Sequence, residues 1–236
     1  MTEVISWLAI LAGGLIVTIK LSAFTILFTV AFSTVLSICA ISPWRPLRVL
    51  TGLYTDLFRS IPLLALLIFC YYGLGRFANE LGISAFWLAV AGLTINESAY
   101  LGEIYRGTLL AIPQTQWEAA ASLGLSWVSI VRLVILPQAL PPGIPSTLNM
   151  LIGIIKNSSL ASLIAVSEVT LAATILVSQT FEPMQVYIVL AVLYLILILP
   201  ISLLARLIER RVRTGLGNAE DVPAPAEPQL TPQPGA

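Results

Sequence analysis

The sequence predicts an all-α polytopic membrane protein with about five transmembrane helices. Three observations carry that expectation. Of 236 residues, 58% are hydrophobic and 10% are charged, far from the balance of a soluble domain. Mean hydropathy is +0.94. The apolar residues fall in long runs whose joints hold prolines, glycines and arginines. In hydrocarbon the backbone must satisfy its own hydrogen bonds, which helices do segment by segment.

Residues 1–13 read as an N-terminal interfacial segment, with Trp7 anchored among headgroups. The start, MTEVISWLAI, lacks a basic n-region and a cleavage site, so a retained first span is expected rather than a removable signal peptide. Span one covers residues 18–41, enough to cross a ~30 Å hydrocarbon core with some tilt. Pro43-Trp44-Arg45-Pro46 ends it. Span two covers residues 60–74, with a backward extension through Leu53 and Leu57. A glycine-rich loop holding Arg76 and Glu80 follows. Span three, residues 86–112, is unusually polar and carries Asn96, Glu97, Glu103 and Arg106.

Residues 117–137, WEAAASLGLSWVSIVRLVILP, are too polar to span. Glu118 and the three alanines after it favour a helix that Gly124 stops. Ser126 suits the N-cap of a second short helix, which Pro137 is expected to end. Two short helices about a glycine joint, held between spans, make a platform fit for a protein partner. Span four is expected after Pro141, Pro142 and Pro145, reaching residue 166 with an interruption near Lys156-Asn157-Ser158-Ser159. Residues 168–180 are apolar, but Ser167-Glu168 points to a partly buried or re-entrant helix. Span five covers residues 185–208, with Arg206, Arg210, Arg211 and Arg213 crowding its end. Residues 213–236 form a Pro-rich tail with no apolar face to bury, so disorder is expected there.

Five spans place the termini on opposite sides. Arg45, Arg48, Arg132 and the arginines after span five alternate with loops that hold Arg76 or no basic residue. By the positive-inside rule the N-terminus is outside, and the platform and C-terminus are cytoplasmic. Lys plus Arg and Asp plus Glu number 12 each, a balance that points to no nucleic-acid partner. The absence of histidine excludes imidazole catalysis. Cys39 and Cys70 read as small hydrophobes within spans. No G-x-x-x-x-G-K-[ST] stretch occurs, so the chain has no P-loop for nucleotide phosphates.

Glu118-Ala119-Ala120, then Gly124, nine further residues and Val134-Ile135-Leu136-Pro137 resemble the EAA loop of permease subunits in binding-protein-dependent ATP-binding-cassette (ABC) importers. The family has isoleucine where Val134 stands. Arg59-Ser60-Ile61-Pro62, Asn96 with Ala99-Tyr100, Glu103, Arg106-Gly107, Pro137-Gln138-Ala139 and Lys156-Asn157-Ser158-Ser159-Leu160 resemble its polar amino-acid branch, of the histidine, arginine and glutamine type. The likeness covers residues 14–212, with the EAA loop at 114–137. It implies a type I ABC importer permease fold with a cytoplasmic coupling helix, in the bacterial cytoplasmic (inner) membrane. The implied partners are an ATPase subunit in two copies, a second permease (identical or sister) and an extracytoplasmic amino-acid-binding protein. No cofactor is expected on this chain, with ATP and Mg held by the ATPase. Coupling contacts are expected at Glu118, Ala119, Ala120 and Gly124.

Asn96, Tyr100 and Glu103 are spaced i, i+4, i+7 and share one helical face, while Glu97 points away from it. A zwitterionic amino acid needs acceptors for its ammonium and donors for its carboxylate. Lys156 reads as the clearest buried cation, with hydroxyls beside it. The resemblance makes Arg59, Asn96, Tyr100, Glu103, Lys156 and Ser158 the substrate-contact candidates. The competing reading of these residues is a set of interhelical salt bridges, with Arg59 and Arg106 anchoring to headgroups. An intrahelical pair of Arg106 with Glu103 at i+3 is the simplest account of those two. The competing function is a proton- or ion-coupled secondary amino-acid carrier using Glu97, Glu103 or Glu168. Such carriers usually show internal repeats, and none is visible here.

Overall fold

In the computed structural model, which describes residues 2–215, the first helix, α1 (Thr2–Ala40), runs unbroken for 39 residues. The interfacial segment expected at residues 1–13 is instead the beginning of this helix. After it come α2 (Arg45–Ser60), α3 (Leu63–Ile68) with a π-helical turn at Phe69–Gly73, α4 (Gly75–Glu80) and α5 (Ala85–Leu110). Next are α6 (Gln114–Ser122) and α7 (Trp127–Ile130), which passes through a π-helical turn at Val131–Ile135 into α8 (Leu136–Asn157). A 3-10 segment, Ser158–Ile164, leads to α9 (Val169–Thr180) and α10 (Pro183–Gly215). The Pro-rich tail expected at 213–236 lies, beyond Gly215, outside the described residues.

Among the described residues, three helical stretches are by themselves long and apolar enough to cross a membrane: Trp7–Ala40, Trp127–Ile164 and Pro183–Val212. Helix α5 has 26 residues, ~39 Å at 1.5 Å per residue, so its length suffices despite its polar side chains. Span two is not one straight helix. Its two parts, Arg45–Ser60 and Leu63–Gly73, meet at 100°. Pro62 causes the break, because the residue before a proline is pushed out of the α region; Ile61 sits at φ −89° and ψ 125°.

The expected stop at Pro137 does not occur. Helix runs through it and through Pro141, Pro142 and Pro145. A proline lacks the N–H and crowds the carbonyl four residues back. Here the π-helical turn at Val131–Ile135 widens the coil just ahead. Gln138 Nε2 also donates to the Val134 carbonyl at 2.8 Å, a side-chain donor where the backbone has few.

The bundle is organised about the pairing of α1 with α5, its most extensive helix contact. Thr18, Ser22, Thr25, Thr29, Ser33 and Ser37 of α1 are all buried. Their spacing lines one face, and small side chains let helix backbones approach closely. Ser33 Oγ reaches the Ser98 carbonyl at 3.3 Å. Near the start of α1, Trp7 is 6% exposed and packs with Leu11, Val169, Ala173 and Val186. The headgroup anchor expected at Trp7 is therefore a core side chain between α1, α9 and α10.

Helix α9 spans 12 residues, ~18 Å and well short of the hydrocarbon core. Glu168 caps it, accepting from Leu171 N at 2.8 Å. The same buried carboxylate accepts from Thr18 and Tyr194 hydroxyls, each at 3.3 Å. One side chain thus ties α1, α9 and α10 together.

Candidate substrate cleft and coupling platform

Helix α5 brings its polar residues to the bend between α2 and α3. Asn96 Nδ2 donates to the Phe58 carbonyl at 2.8 Å and to that of Ile61 at 3.3 Å. Tyr100 donates its hydroxyl to the Arg59 carbonyl at 3.0 Å. The last carbonyls of a helix lack intrahelical partners, and these two side chains serve those of α2. Arg59 itself lies over the Tyr100 ring, 5.4 Å from its centroid.

A cleft of ≈ 490 Å³ opens at this place. Its polar lining is Arg59, Ser60, Asn96, Glu97, Tyr100 and Asn157, and Ile61, Pro62, Leu63, Met150 and Leu160 complete the wall. Of the expected substrate residues, Arg59, Asn96 and Tyr100 meet here. Glu103 lies in a neighbouring hollow with Arg106, held by a 2.8 Å bond from Arg106 Nε.

Three placements differ from expectation. Glu97, expected to point away, lines the cleft at 4% exposure and accepts from Asn157 Nδ2 at 2.7 Å. Lys156, expected as a buried cation, is exposed and outside the cleft. Ser158 is fully buried, but its hydroxyl returns to the Ile155 carbonyl at 2.8 Å. Asn157, between them in sequence, is the residue that reaches the cleft. Lys156 and Asn157 are consecutive on α8 and so point about 100° apart. Which of them meets the cleft is set by how α8 packs on α5, and only Ser158 falls in the 3-10 segment.

The platform lies at the C-terminal end of α5, where Leu109 joins its apolar cluster. Helix α6 ends in a left-handed Gly124 at φ +73°. Leu125 N bonds the Ala120 carbonyl at 3.4 Å and Gly124 N bonds that of Ala121 at 2.9 Å, the paired bonds of a Schellman stop. Ser126 caps α7 by accepting from Ser129 N at 3.3 Å. Glu118 and Ala119 face outward. Ala120 does not. It is 4% exposed and packs with Leu109, Ile130, Ile135 and Ala139, so its small size seats α6 on the bundle rather than admitting a partner.

A polar cleft walled by apolar helices, with an exposed helical platform on the same bundle, fits the architecture of a transport permease. The chain belongs to the family of binding-protein-dependent transport system inner membrane components, which residues 33–214 match. It is similar to the arginine transport system permease protein ArtQ of Bacillus subtilis (strain 168), with 31% identity over 201 residues, 85% of this chain and 91% of that protein. The L-cystine transport system permease protein TcyB of the same organism is 34% identical over 208 residues, 88% of each chain. Among solved structures, one chain of an amino acid ABC transporter crystallised with histidines matches with a TM-score of 0.80 at 33% identity, covering 89% of this chain and 97% of that one. The fold is that of type I importer permeases.

Proposed function

We infer that this chain forms the translocation pathway of an ATP-driven amino-acid importer and couples it to a separate ATPase through α6. The observation that carries the coupling is the seating of that helix. Ala120 fixes it to the bundle, Gly124 turns the chain back, and Glu118 stands free as a charged peg. A partner that moves this platform moves α5 and α8 with it, because Leu109 and Ala139 share its apolar cluster. Glu118, Ala119 and Gly124 are the coupling residues, with Ala120 as their anchor.

The cleft supplies both halves of amino-acid recognition. Glu97 is an acceptor for an ammonium, and Arg59 is a donor for a carboxylate. An extracytoplasmic binding protein delivers the substrate, two permeases (identical or sister) enclose the path, and two ATPase copies hold ATP and Mg. The N-terminus is outside, with the platform and C-terminus cytoplasmic. The two relatives described above, an arginine and an L-cystine permease by name, support the substrate class. Two of the carboxylates that a proton-coupled carrier would use are engaged otherwise: Glu103 with Arg106, and Glu168 with Leu171, Thr18 and Tyr194.

The test is a mild-detergent pull-down of the tagged chain from its native membrane, with partners identified by mass. Wild type is expected to bring an ATPase subunit and a second permease copy. Glu118→Ala and Gly124→Val are expected to insert normally while losing at least tenfold of the ATPase. Wild-type ATPase recovery and transport in both variants would sink the coupling assignment.

A further inference from the structure

A second polar hollow, of ≈ 300 Å³, lies between α2 and α5. Arg48, Thr51, Thr55, Asp56 and Arg59 line it from α2, and Glu103 and Arg106 from α5. On α2, Arg48, Gly52, Thr55 and Arg59 are spaced i, i+4, i+7, i+11, so one face stays polar for about three turns, ~16 Å. Val49, Leu50, Leu53 and Leu57, on the far side of the helix, are exposed apolar residues. The helix is amphipathic because it lines something polar within an apolar bundle.

This hollow is continuous with the substrate cleft. Arg59 lines both, and a connecting space is lined by Asp56, Arg59, Ser60 and Tyr100. Most of its other charges are already occupied. Glu103 is bonded by Arg106, and Arg48 donates to the Ser42 and Pro43 carbonyls at 2.7 and 2.9 Å. Among the described residues, neither Asp56 nor Arg59 is in an ion pair. A carboxylate and a guanidinium one turn apart, facing one hollow, match the ammonium and carboxylate of an α-amino acid, and bonds between charged groups are the strong ones. From the cleft, the trough leads toward Ala40 and Arg48, next to Ile41 in the platform's own cluster.

We propose that the α2–α5 trough is a second, exit-side binding position for the transported amino acid, in which Asp56 takes its α-ammonium and Arg59 its α-carboxylate. Arg59 acts as the pivot between cleft and trough. The proposal rests on the importer reading above, which sets the direction of exit. An exit position that is open to the cytoplasmic side fills when the amino acid accumulates there, so it produces inhibition by product, and release then sets turnover.

The experiment uses the complete importer in proteoliposomes whose ATPase faces the bath, with the binding protein and radiolabelled amino acid sealed inside. L-Arginine, L-glutamine, L-glutamate and L-cystine are tried in turn, and the one exported on adding Mg-ATP is used. The same unlabelled amino acid in the bath is expected to slow wild-type export. Asp56→Asn is expected to raise the half-inhibiting bath concentration at least tenfold, with the half-saturating luminal concentration changed less than twofold. Asp56→Glu restores inhibition. Wild-type export that ignores bath amino acid, or an Asp56→Asn variant inhibited like wild type, overturns the exit position. So does a variant in which both concentrations shift together, the mark of a general structural defect. No ATP-driven export of any of the four by wild type overturns the importer reading itself, and the exit position falls with it.

Discussion

Asn96 shows how one side chain in this bundle is committed. Both of its amide hydrogens go to carbonyls at the α2–α3 bend, so the residue holds the wall of the cleft in shape. An unpaired buried carbonyl costs about 1–3 kcal/mol. Asn96→Leu is therefore expected to lower the detergent melting temperature by several degrees and to weaken substrate binding together. A melting temperature unchanged from wild type would show that the bend is held by Pro62 alone. The face formed by Asn96 and Tyr100 was legible from helical spacing. Glu97, one step around the same helix, also reaches the cleft because Asn157 meets it there, a contact that spacing within α5 does not show. The choice between Lys156 and Asn157 was not legible either. Consecutive residues on an α-helix point about 100° apart, and which of these two meets α5 is set by the packing of α8, which its own sequence does not display.

At the scale of elements, α1 and α9 meet at a point where only glycine fits. A Cβ on Gly14 falls 2.8 Å from the Val169 Cα, whereas Gly13 has nothing within 4 Å of a Cβ. Overpacking costs about 1–3 kcal/mol, while alanine in a helix interior gains up to ~1 kcal/mol over glycine. Adjacent substitutions are thus expected to act in opposite directions: Gly14→Ala lowers the melting temperature, and Gly13→Ala holds or raises it. Equal shifts from the two would mean that α9 does not rest on α1 as described. The platform's limits at Gly124 and Ser126 were readable because stop and cap chemistry is local. The continuation through Pro137 was not, since the π-helical turn that accommodates it has no residue signature. The hydroxyl face of α1 was hidden differently. Threonine and serine are unremarkable within a long apolar run, and only the approach of α5 gives their spacing a meaning.

For the whole molecule, the two ends of the bundle are distinct. One end gathers Ile41, Trp117 and Ile130 beneath the platform; the other gathers Trp7, Val186 and Leu190 where α10 begins. Arg45, Arg48 and Arg132 follow or precede the first cluster in the chain, and the α9–α10 turn beside the second holds Glu182. The proposed orientation puts the platform end in the cytoplasm, as the positive-inside rule expects. Leu123 and Phe181 mark the two ends well, being 80% and 85% exposed. In a background with Cys39→Ser and Cys70→Ser, Leu123→Cys is expected to react with an impermeant maleimide in inside-out vesicles only. Phe181→Cys is expected to react in right-side-out vesicles only. The reverse pattern would put Glu118 where no cytoplasmic ATPase reaches it, and the coupling assignment would fall with the orientation. Labelling of both from one side would mean an even number of crossings between them, so that either α9 crosses as well as the Trp127–Ile164 stretch or that stretch does not cross. A single crossing between Leu123 and Phe181 is what would set the platform and the α9–α10 turn on opposite sides, so this labelling tests the premise on which both the platform and the exit trough depend.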